Sequence, residues 1–404
     1  MGLINTVSAD RLHIGFFGIR NAGKSSIVNA ITGQELSVVS PVEGTTTDPV
    51  RKAMELLPLG PVVIIDTPGI DDIGSLGSLR VKKTKQILDE TDIAVLVTDC
   101  TKPRSDADRE LISLFEEKKL PYITVLNKAD LSEKRGIKES NTIYASALTG
   151  EGIEAIKNKL GEFASASEKQ KPIVSDLLSS GNTVILVIPI DAAAPKGRII
   201  LPQQQVLREL LDVHCTVIAC QDTELKSTLS RLSEKPKLII TDSQAFAKVA
   251  RDTPDDIPLT SFSILFARYK GRLNALVRGA SALSKLSDGD RVLISEGCTH
   301  HRQCGDIGTL KLPSMIMRFC GAEPDFSFTS GRDFPDFSSD DHEYSLVLHC
   351  GGCMLNEREM QSRIDAAERA GIPVVNYGVA IAHMNGLLRR SLAPLGDDIL
   401  SVLD

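Results

Sequence analysis

The sequence predicts an α/β protein of three units, each built on a mainly parallel sheet. Three observations carry this. Short apolar segments rich in Val and Ile alternate with helical periodicity along the chain. A glycine-rich loop stands between the first such segment and the first helical pattern. The 404 residues are 42% hydrophobic and 25% charged, an ordinary balance for a folded soluble chain of several domains.

The elements follow in order. Leu12–Phe17, Val62–Ile65, Ile93–Val97 and Tyr122–Leu126 read as buried strands, each bounded by turn residues. Helical periodicity lies between them, at Ser78–Leu88 and Ala107–Glu117. That alternation implies a parallel sheet with helices on both faces. The small and polar stretch Ala164–Lys171 reads as a linker, so the first domain is placed at residues 1–168. Thr183–Ile190, Cys215–Ala219 and Lys237–Ile240 are the strands of a second unit, with a helix at Gln203–Leu211. The turn-rich stretch Thr253–Pro258 closes it, which gives a second domain at 174–258. Strands at Arg291–Ile294, Tyr344–Leu348 and Pro373–Asn376 build a third, at 259–404.

Composition excludes some functions. Lys and Arg total 46 against 53 Asp and Glu, a net charge of −7, and neither half of the chain is basic. Aromatic residues are 4% and Trp is absent, so base-stacking platforms are sparse. A nucleic-acid partner held by a broad phosphate-binding surface is not expected. No apolar run approaches the roughly 18 residues of a membrane span. The first residues lack a basic segment followed by a long apolar one. The expectation is a cytoplasmic protein without membrane attachment, whose eight cysteines serve as ligands or buried thiols rather than disulfides.

Gly18-Ile-Arg-Asn-Ala-Gly-Lys-Ser25 follows a predicted strand and opens a predicted helix at Ser26–Ile31. Gly-x-x-x-x-Gly-Lys-Ser in that setting is a phosphate-binding loop. Its glycines let the backbone N–H groups of Asn21, Ala22 and Gly23 wrap phosphates, and Lys24 places a cation on them. Ser25 is positioned to ligate Mg²⁺, with Ser26 beside it. Asp66-Thr-Pro-Gly69 follows the second apolar strand, where Asp66 can hold Mg²⁺ through water and the Gly69 amide can reach a γ-phosphate. Asn127-Lys128-Ala-Asp130 follows the fourth. A carboxylate at Asp130 can accept from N1–H and N2–H₂ of guanine, donors that adenine lacks there, and so selects GTP. Ser146-Ala147-Leu148 can reach the base carbonyl through backbone N–H. Gly44-Thr-Thr-Thr-Asp48 sits where a switch segment would supply a Mg²⁺-ligating Thr. The first domain is thus expected to be a P-loop GTPase.

These motifs, in this order over residues 10–160, resemble the translation-factor-like GTPases, most of all the tRNA-modification subgroup. The resemblance implies that Asn21 helps to hold a K⁺ ion, that Thr46 is the Mg²⁺ ligand, and that Lys24, Thr46 and Asn21 serve catalysis. After Gly69 comes Ile70, where Ras-like enzymes carry a water-orienting Gln. Slow, K⁺-stimulated hydrolysis of GTP to GDP and phosphate is the expectation. The switches are expected at Val38–Asp48 and Ile70–Leu79.

Five of the eight cysteines and five of the seven histidines fall after residue 297. Cys298-Thr-His300-His301-Arg-Gln-Cys304 and His349-Cys350-Gly-Gly-Cys353 each follow a predicted strand. Open α/β sheets build their sites at the carboxyl ends of strands. A structural zinc could use Cys298, Cys304, Cys350 and Cys353. A 4Fe–4S cluster held by Cys298, Cys350 and Cys353 alone would leave one iron for His300, His301, His349 or Asp306. Spacing does not separate the two.

The whole chain resembles the FeFe-hydrogenase maturation GTPases of the HydF type. The features are the GTPase motifs, the middle stretch Pro195-Lys-Gly-Arg-Ile-Ile-Leu-Pro202, and Cys298-x-His300 with His349-Cys350-x-x-Cys353. The resemblance implies a dimerisation domain in the middle and a cluster-binding domain last. It implies Cys298, Cys350 and Cys353 as thiolates on a 4Fe–4S cluster, with a labile fourth position for which Asp306 is the leading residue. Further implied are a transient di-iron precursor as cargo, a homodimer, the radical-SAM maturases HydE and HydG as partners, and an apo-hydrogenase as recipient. An RNA-modification or ribosome-assembly GTPase with a zinc site is the alternative.

Overall fold

The computed structural model describes residues 8–34, 49–69, 75–132, 140–167, 171–190, 199–297, 307–337 and 344–403. The chain forms two compact units, residues 1–170 and 171–404.

The first unit is one six-stranded sheet, β1 (Leu12–Phe17), β2 (Val50–Leu56), β3 (Gly60–Asp66), β4 (Ile93–Asp99), β5 (Tyr122–Asn127) and β6 (Thr142–Tyr144), in the order β2-β3-β1-β4-β5-β6. All neighbours are parallel except β2 and β3. Helices α1 (Lys24–Thr32), α2 (Ser75–Glu90) and α3 (Asp106–Glu117) lie between them in sequence, and α4 (Ile153–Ser167) follows β6. Successive strand side chains point to opposite faces, which divides the core in two. Ile14, Phe16 and Val95 pack with Ile27, Ile31, Ile156 and Leu160 of α1 and α4. Phe17, Ile65 and Leu96 pack on the other face with Ile87, Leu88, Leu111 and Phe115 of α2 and α3. The α3 start is fixed by a reciprocal cap: Ser105 Oγ accepts from Asp108 N–H, and the Asp108 carboxylate accepts from Ser105 N–H.

Two departures from the sequence reading have physical causes. β2 carries Lys52 and Glu55 exposed on an antiparallel edge, where water solvates their charges, and Arg51 half-buried on the Glu90 carboxylate, so no apolar run is required. The expected linker from Ala164 is still helical to Ser167, because Ala-Ser-Ala-Ser continues α4 without a breaker.

The second unit holds two four-stranded parallel sheets. One has the order β10-β9-β7-β8, from β7 (Thr183–Val187), β8 (Thr216–Cys220), β9 (Leu238–Thr241) and β10 (Leu259–Ser261). Its helices are α5 (Leu201–Asp212), α6 (Leu225–Ser230) and α7 (Phe246–Asp252). The other has the order β12-β11-β13-β14, from β11 (Arg291–Glu296), β12 (Asp325–Ser330), β13 (Leu346–His349) and β14 (Val374–Asn376). Helices α8 (Phe262–Tyr269), α9 (Leu273–Ala280), α10 (Leu312–Cys320), α11 (Glu357–Arg369) and α12 (Tyr377–Met384) surround it. β10 lies past residue 258, the expected border, yet pairs in register with β9. Just beyond it, α8 serves two cores. Phe262, Leu265 and Phe266 join Leu186 and Ile240 of the first of these sheets, whereas Ile264 and Ala267 join Leu293 and Val347 of the second.

Among the described residues no helix is long and apolar enough to cross a membrane.

Candidate functional site

In the first unit the predicted motifs leave the carboxyl ends of β1, β3 and β5. The loop after β1 is folded for close approach. Gly18 has φ 140°, and a Cβ there would stand 2.2 Å from the Val97 carbonyl oxygen. Asn21 is left-handed at φ 62°. Gly23, at φ 89°, is the N-cap of α1, and a Cβ on it would meet Asn127 Nδ2 at 2.2 Å. Only glycine satisfies both requirements there. Ala22 is buried, Ser26 is half-buried on α1, and the Lys24 ammonium is folded back on the carbonyls of Gly18 and Ile19 at 3.0 Å each.

Ser25 Oγ donates to Asp66 Oδ2 at 2.7 Å, joining the two predicted Mg²⁺ positions. Asp66 Oδ1 is buried with no hydrogen-bond partner. An orphaned carboxylate oxygen beside a hydroxyl fits a hydrated divalent cation. Thr67 is fixed by its hydroxyl on the Phe16 carbonyl, 2.6 Å, and Gly69 packs so closely on Arg20 that a Cβ would lie 2.8 Å from its Cα.

Asn127 is the hinge pin of the base side. Its Nδ2 donates to the Ala22 carbonyl at 3.0 Å and its Oδ1 accepts from Ala147 N–H at 3.2 Å. Lys128 is left-handed at φ 65°, and its ammonium pairs with Asp99 at 2.6 Å. Burial alone would raise the Asp99 carboxyl, but hydrogen bonds from Lys128 and Thr101 outweigh it and hold it below the ordinary carboxylate range. The Asp130 carboxylate accepts from the fully buried Ser146 hydroxyl, which also accepts from Thr149 N–H. Leu148 is exposed. The Asp99 contribution was not legible from motif spacing. Thr46, with both expected switches apart from Ser75–Leu79 of α2, lies outside the described residues.

The cysteine and histidine motifs map to the other end of the chain. β11 lies between β12 and β13, so successive connections run to opposite sides of it. That makes the crevice between β11 and β13 the switch point where a parallel sheet opens for a ligand. Gly297 emerges there from β11 and Cys350 from β13. Cys350 Sγ accepts from Gly297 N–H at 3.1 Å and from Gly352 N–H at 3.3 Å. Burial pushes the free thiol up, while those two N–H groups favour its thiolate. Two amides aimed at one sulfur fit a metal-bound thiolate. Cys353 is half-buried at the next turn. Cys298, His300, His301, Cys304 and Asp306 lie outside the described residues, as do residues 191–198 of the middle stretch. Among the described residues no three His, Cys, Asp or Glu side chains gather as a metal site.

His349 is buried, and both of its ring nitrogens are engaged. Nδ1 lies 2.9 Å from the Cys350 carbonyl and Nε2 lies 3.3 Å from Arg363 Nη1. Arginine can only donate, so Nε2 accepts and Nδ1 carries the proton. Burial, and then the Arg363 charge, push its pKa down to about 3, which leaves the ring neutral at neutral pH. Arg363 itself is buried on Glu359 and the Gly331 carbonyl, 2.7 Å each. In this arrangement His349 orients the backbone of Cys350 rather than presenting a nitrogen to the crevice.

Residues 13–128 match the family described as 50S ribosome-binding GTPase. Residues 173–271 match the hydrogen maturase F dimerization domain, and residues 274–394 the hydrogen maturase F tetramerization domain. The chain is similar to GTPase Der of Wolinella succinogenes, 34% identical over 165 residues, covering 37% of this chain and 35% of that protein. It is similar to the tRNA modification GTPase MnmE of Nitrosomonas europaea, 34% identical over 148 residues, covering 35% of this chain and 32% of that one. The chain thus spans about a third of the length of these curated relatives. Among solved structures it is similar to the G domain of the T. maritima FeoB iron transporter, with 23% identity and a TM-score of 0.30, covering 38% of this chain and 99% of that one. It is also similar to Aquifex aeolicus Era bound to GDP.AlF4⁻, with 18% identity and a TM-score of 0.35, covering 59% of this chain and 97% of that one.

Proposed function

Because the chain belongs to the HydF-type hydrogenase maturase GTPases, we propose that it is a GTP-driven scaffold for hydrogenase maturation. In this reading it carries a 4Fe–4S cluster and delivers a di-iron precursor to an apo-hydrogenase. Cys298, Cys350 and Cys353 hold the cluster, and Asp306 takes the fourth, exchangeable position ahead of His300 and His301, while His349, engaged at both ring nitrogens, stays behind Cys350. The cluster supplies an iron with an open coordination position. The chain's own residues shape the crevice, orient the thiolates and donate N–H groups to sulfur. The radical-SAM maturases HydE and HydG are the partners that supply cargo, and the protein acts as a homodimer or larger assembly.

The nucleotide works at a separate site. Lys24, Ser25, Thr46 and Asp66 hold Mg²⁺-GTP, with Gly18, Asn21, Ala22, Gly23, Ser26 and Gly69 around the phosphates. Asn127, Lys128, Asp130, Ser146, Ala147 and Leu148 hold the guanine. Hydrolysis is slow and K⁺-stimulated through Asn21. Its role is to favour one of two conformations and so control partner exchange.

The observation that carries the metal reading is the Cys350 sulfur receiving the amide next to Cys298 across the β11–β13 crevice, 3.1 Å from Gly297 N. Anaerobic reconstitution with iron and sulfide tests it, comparing wild type with Cys350→Ala by metal analysis and EPR. About four iron and four sulfide per wild-type chain, with a reducible signal lost in the variant, are expected. A single tight zinc without sulfide overturns the reading.

A further inference from the structure

Lys270 stands at the C-cap of α8, its N–H bonded to the Phe266 carbonyl at 2.9 Å. It is a lysine only 6% exposed. Its ammonium donates to two carbonyls of one turn, those of Gly352 and Leu355, the latter at 2.6 Å. That turn contains Cys353. Its backbone is pressed on α11: Gly352 has φ 59°, and a Cβ there would meet Met360 Sδ at 2.9 Å. The Lys270 carbonyl in turn accepts from Gln361 Nε2 of α11 at 3.0 Å. The lysine is therefore held from both sides, by its own helix and by the helix that follows the cysteines.

We propose that Lys270 is the positioning residue that holds the Cys-Gly-Gly-Cys turn in the shape its sulfurs need. It does so from the part of the chain matching the dimerization domain. Burying an ammonium is costly, and here the cost is offset by two carbonyl acceptors, of which that of Gly352 also closes the turn on Leu355 N–H at 3.1 Å. A charged donor is stronger than a neutral one, and this one fixes the peptide plane entering Cys353 and the one leaving Leu355 at the end of the turn. The helix carrying it is rooted in the β7–β10 sheet through Phe262, Leu265 and Phe266. The conformation of the cysteine turn is thereby set from outside its own sheet. This inference rests on reading Cys350 and Cys353 as ligands.

The test uses the full-length chain without metal. Alkylation of Cys350 and Cys353 by iodoacetamide is followed by peptide mass spectrometry, with Cys100 as the internal reference. Lys270→Met is expected to speed alkylation at Cys350 or Cys353 about tenfold, the effect of losing a charged hydrogen bond, with Cys100 unchanged. Lys270→Arg, which keeps a cationic donor, is expected to lie nearer the wild type than Lys270→Met. A residue that merely filled space would give the reverse order, since Met is the better volume match. Unchanged rates in folded Lys270→Met, or the reverse order, overturn the proposal. If Lys270→Met does not fold, Gln361→Leu decides: it releases the same lysine from α11, and unchanged rates there overturn it. Reconstitution of the wild type separately reports on the cluster reading. A wild type that holds no cluster sinks that reading and leaves the alkylation result on Lys270 standing.

Discussion

The side-chain amide of Asn127 donates to the main-chain carbonyl of Ala22 at 3.0 Å, joining the base-reading loop to the phosphate loop 105 residues away in sequence. Its carbonyl holds Ala147 N–H at the same time. One buried side chain thus registers three loops. Asn127→Ala leaves both partners unpaired, at about 1–3 kcal/mol for each buried group. The expected result is a loss of affinity of about tenfold or more for GTP and GDP alike, read by calorimetric titration. A loss confined to GTP would contradict a role in loop registration.

Asp130 is fixed by the Ser146 hydroxyl. Asp130→Asn replaces an acceptor with an amide that cannot accept from both guanine donors. GTP affinity is expected to fall by about a hundredfold and xanthosine triphosphate to become the better ligand. Competition binding of the two nucleotides checks this, and unchanged preference would remove Asp130 from base recognition.

Asp66 places one oxygen on Ser25 and leaves Oδ1 buried without a partner. Asp66→Asn keeps the shape and removes the charge that a Mg²⁺ hydration shell requires. The Mg²⁺ concentration for half-maximal hydrolysis is expected to rise about tenfold or more, measured by phosphate release against Mg²⁺. An unshifted curve would place the ion elsewhere.

Gly279 lies on α9 where it crosses β14, and a Cβ there would stand 1.9 Å from the Val374 carbonyl oxygen. Gly279→Ala must push helix and strand apart. A loss of about 1–3 kcal/mol or more is expected, visible as a lower urea midpoint. Stability equal to wild type would mean that the crossing yields without cost.

His383 is half-buried with its ring edge-on to Phe319, centroids 5.5 Å apart. Burial pushes its pKa below the ordinary 6.5. The folded state therefore prefers the neutral ring. This contribution is fully present above the unfolded value and is lost as pH falls below it, because the unfolded chain then binds the proton more readily. His383→Leu is expected to lose less stability than wild type between about pH 7.5 and about pH 5.5. Equal losses would assign the acid sensitivity to other groups.

The central strands were legible because burial on both faces demands continuous apolar runs, as in Ile93–Val97 and Val184–Val187. β2, β10 and β12 were not. β2 is a charged edge, β10 has three residues, and Asp325–Ser330 is a half-exposed edge that mixes Phe with Ser and Thr. Gly18–Ser25, Asp66 and Asn127–Asp130 were legible as chemistry because phosphate, Mg²⁺ and guanine each dictate residue types at fixed spacing. The supporting residues had no such signal. Lys270 and Arg363 read as surface charges in a sequence, and only the carbonyls and ring nitrogen they meet make them interior groups. Asp99 likewise ends β4 without any motif of its own, and gains its role from Lys128 at the end of the neighbouring strand.

The helix Phe262–Tyr269 contributes to two cores at once. Its consequence reaches into how such a chain can be recombined. A crossover at the turn before β10, near Pro258, would strand β10 from β9 and hand the incoming segment five apolar side chains fitted to two different surroundings. A crossover after it would part Lys270 from the turn it grips. Parts exchanged between relatives would therefore have to travel as the whole of 171–404, and the lineage of this half is expected to be inherited as a single block.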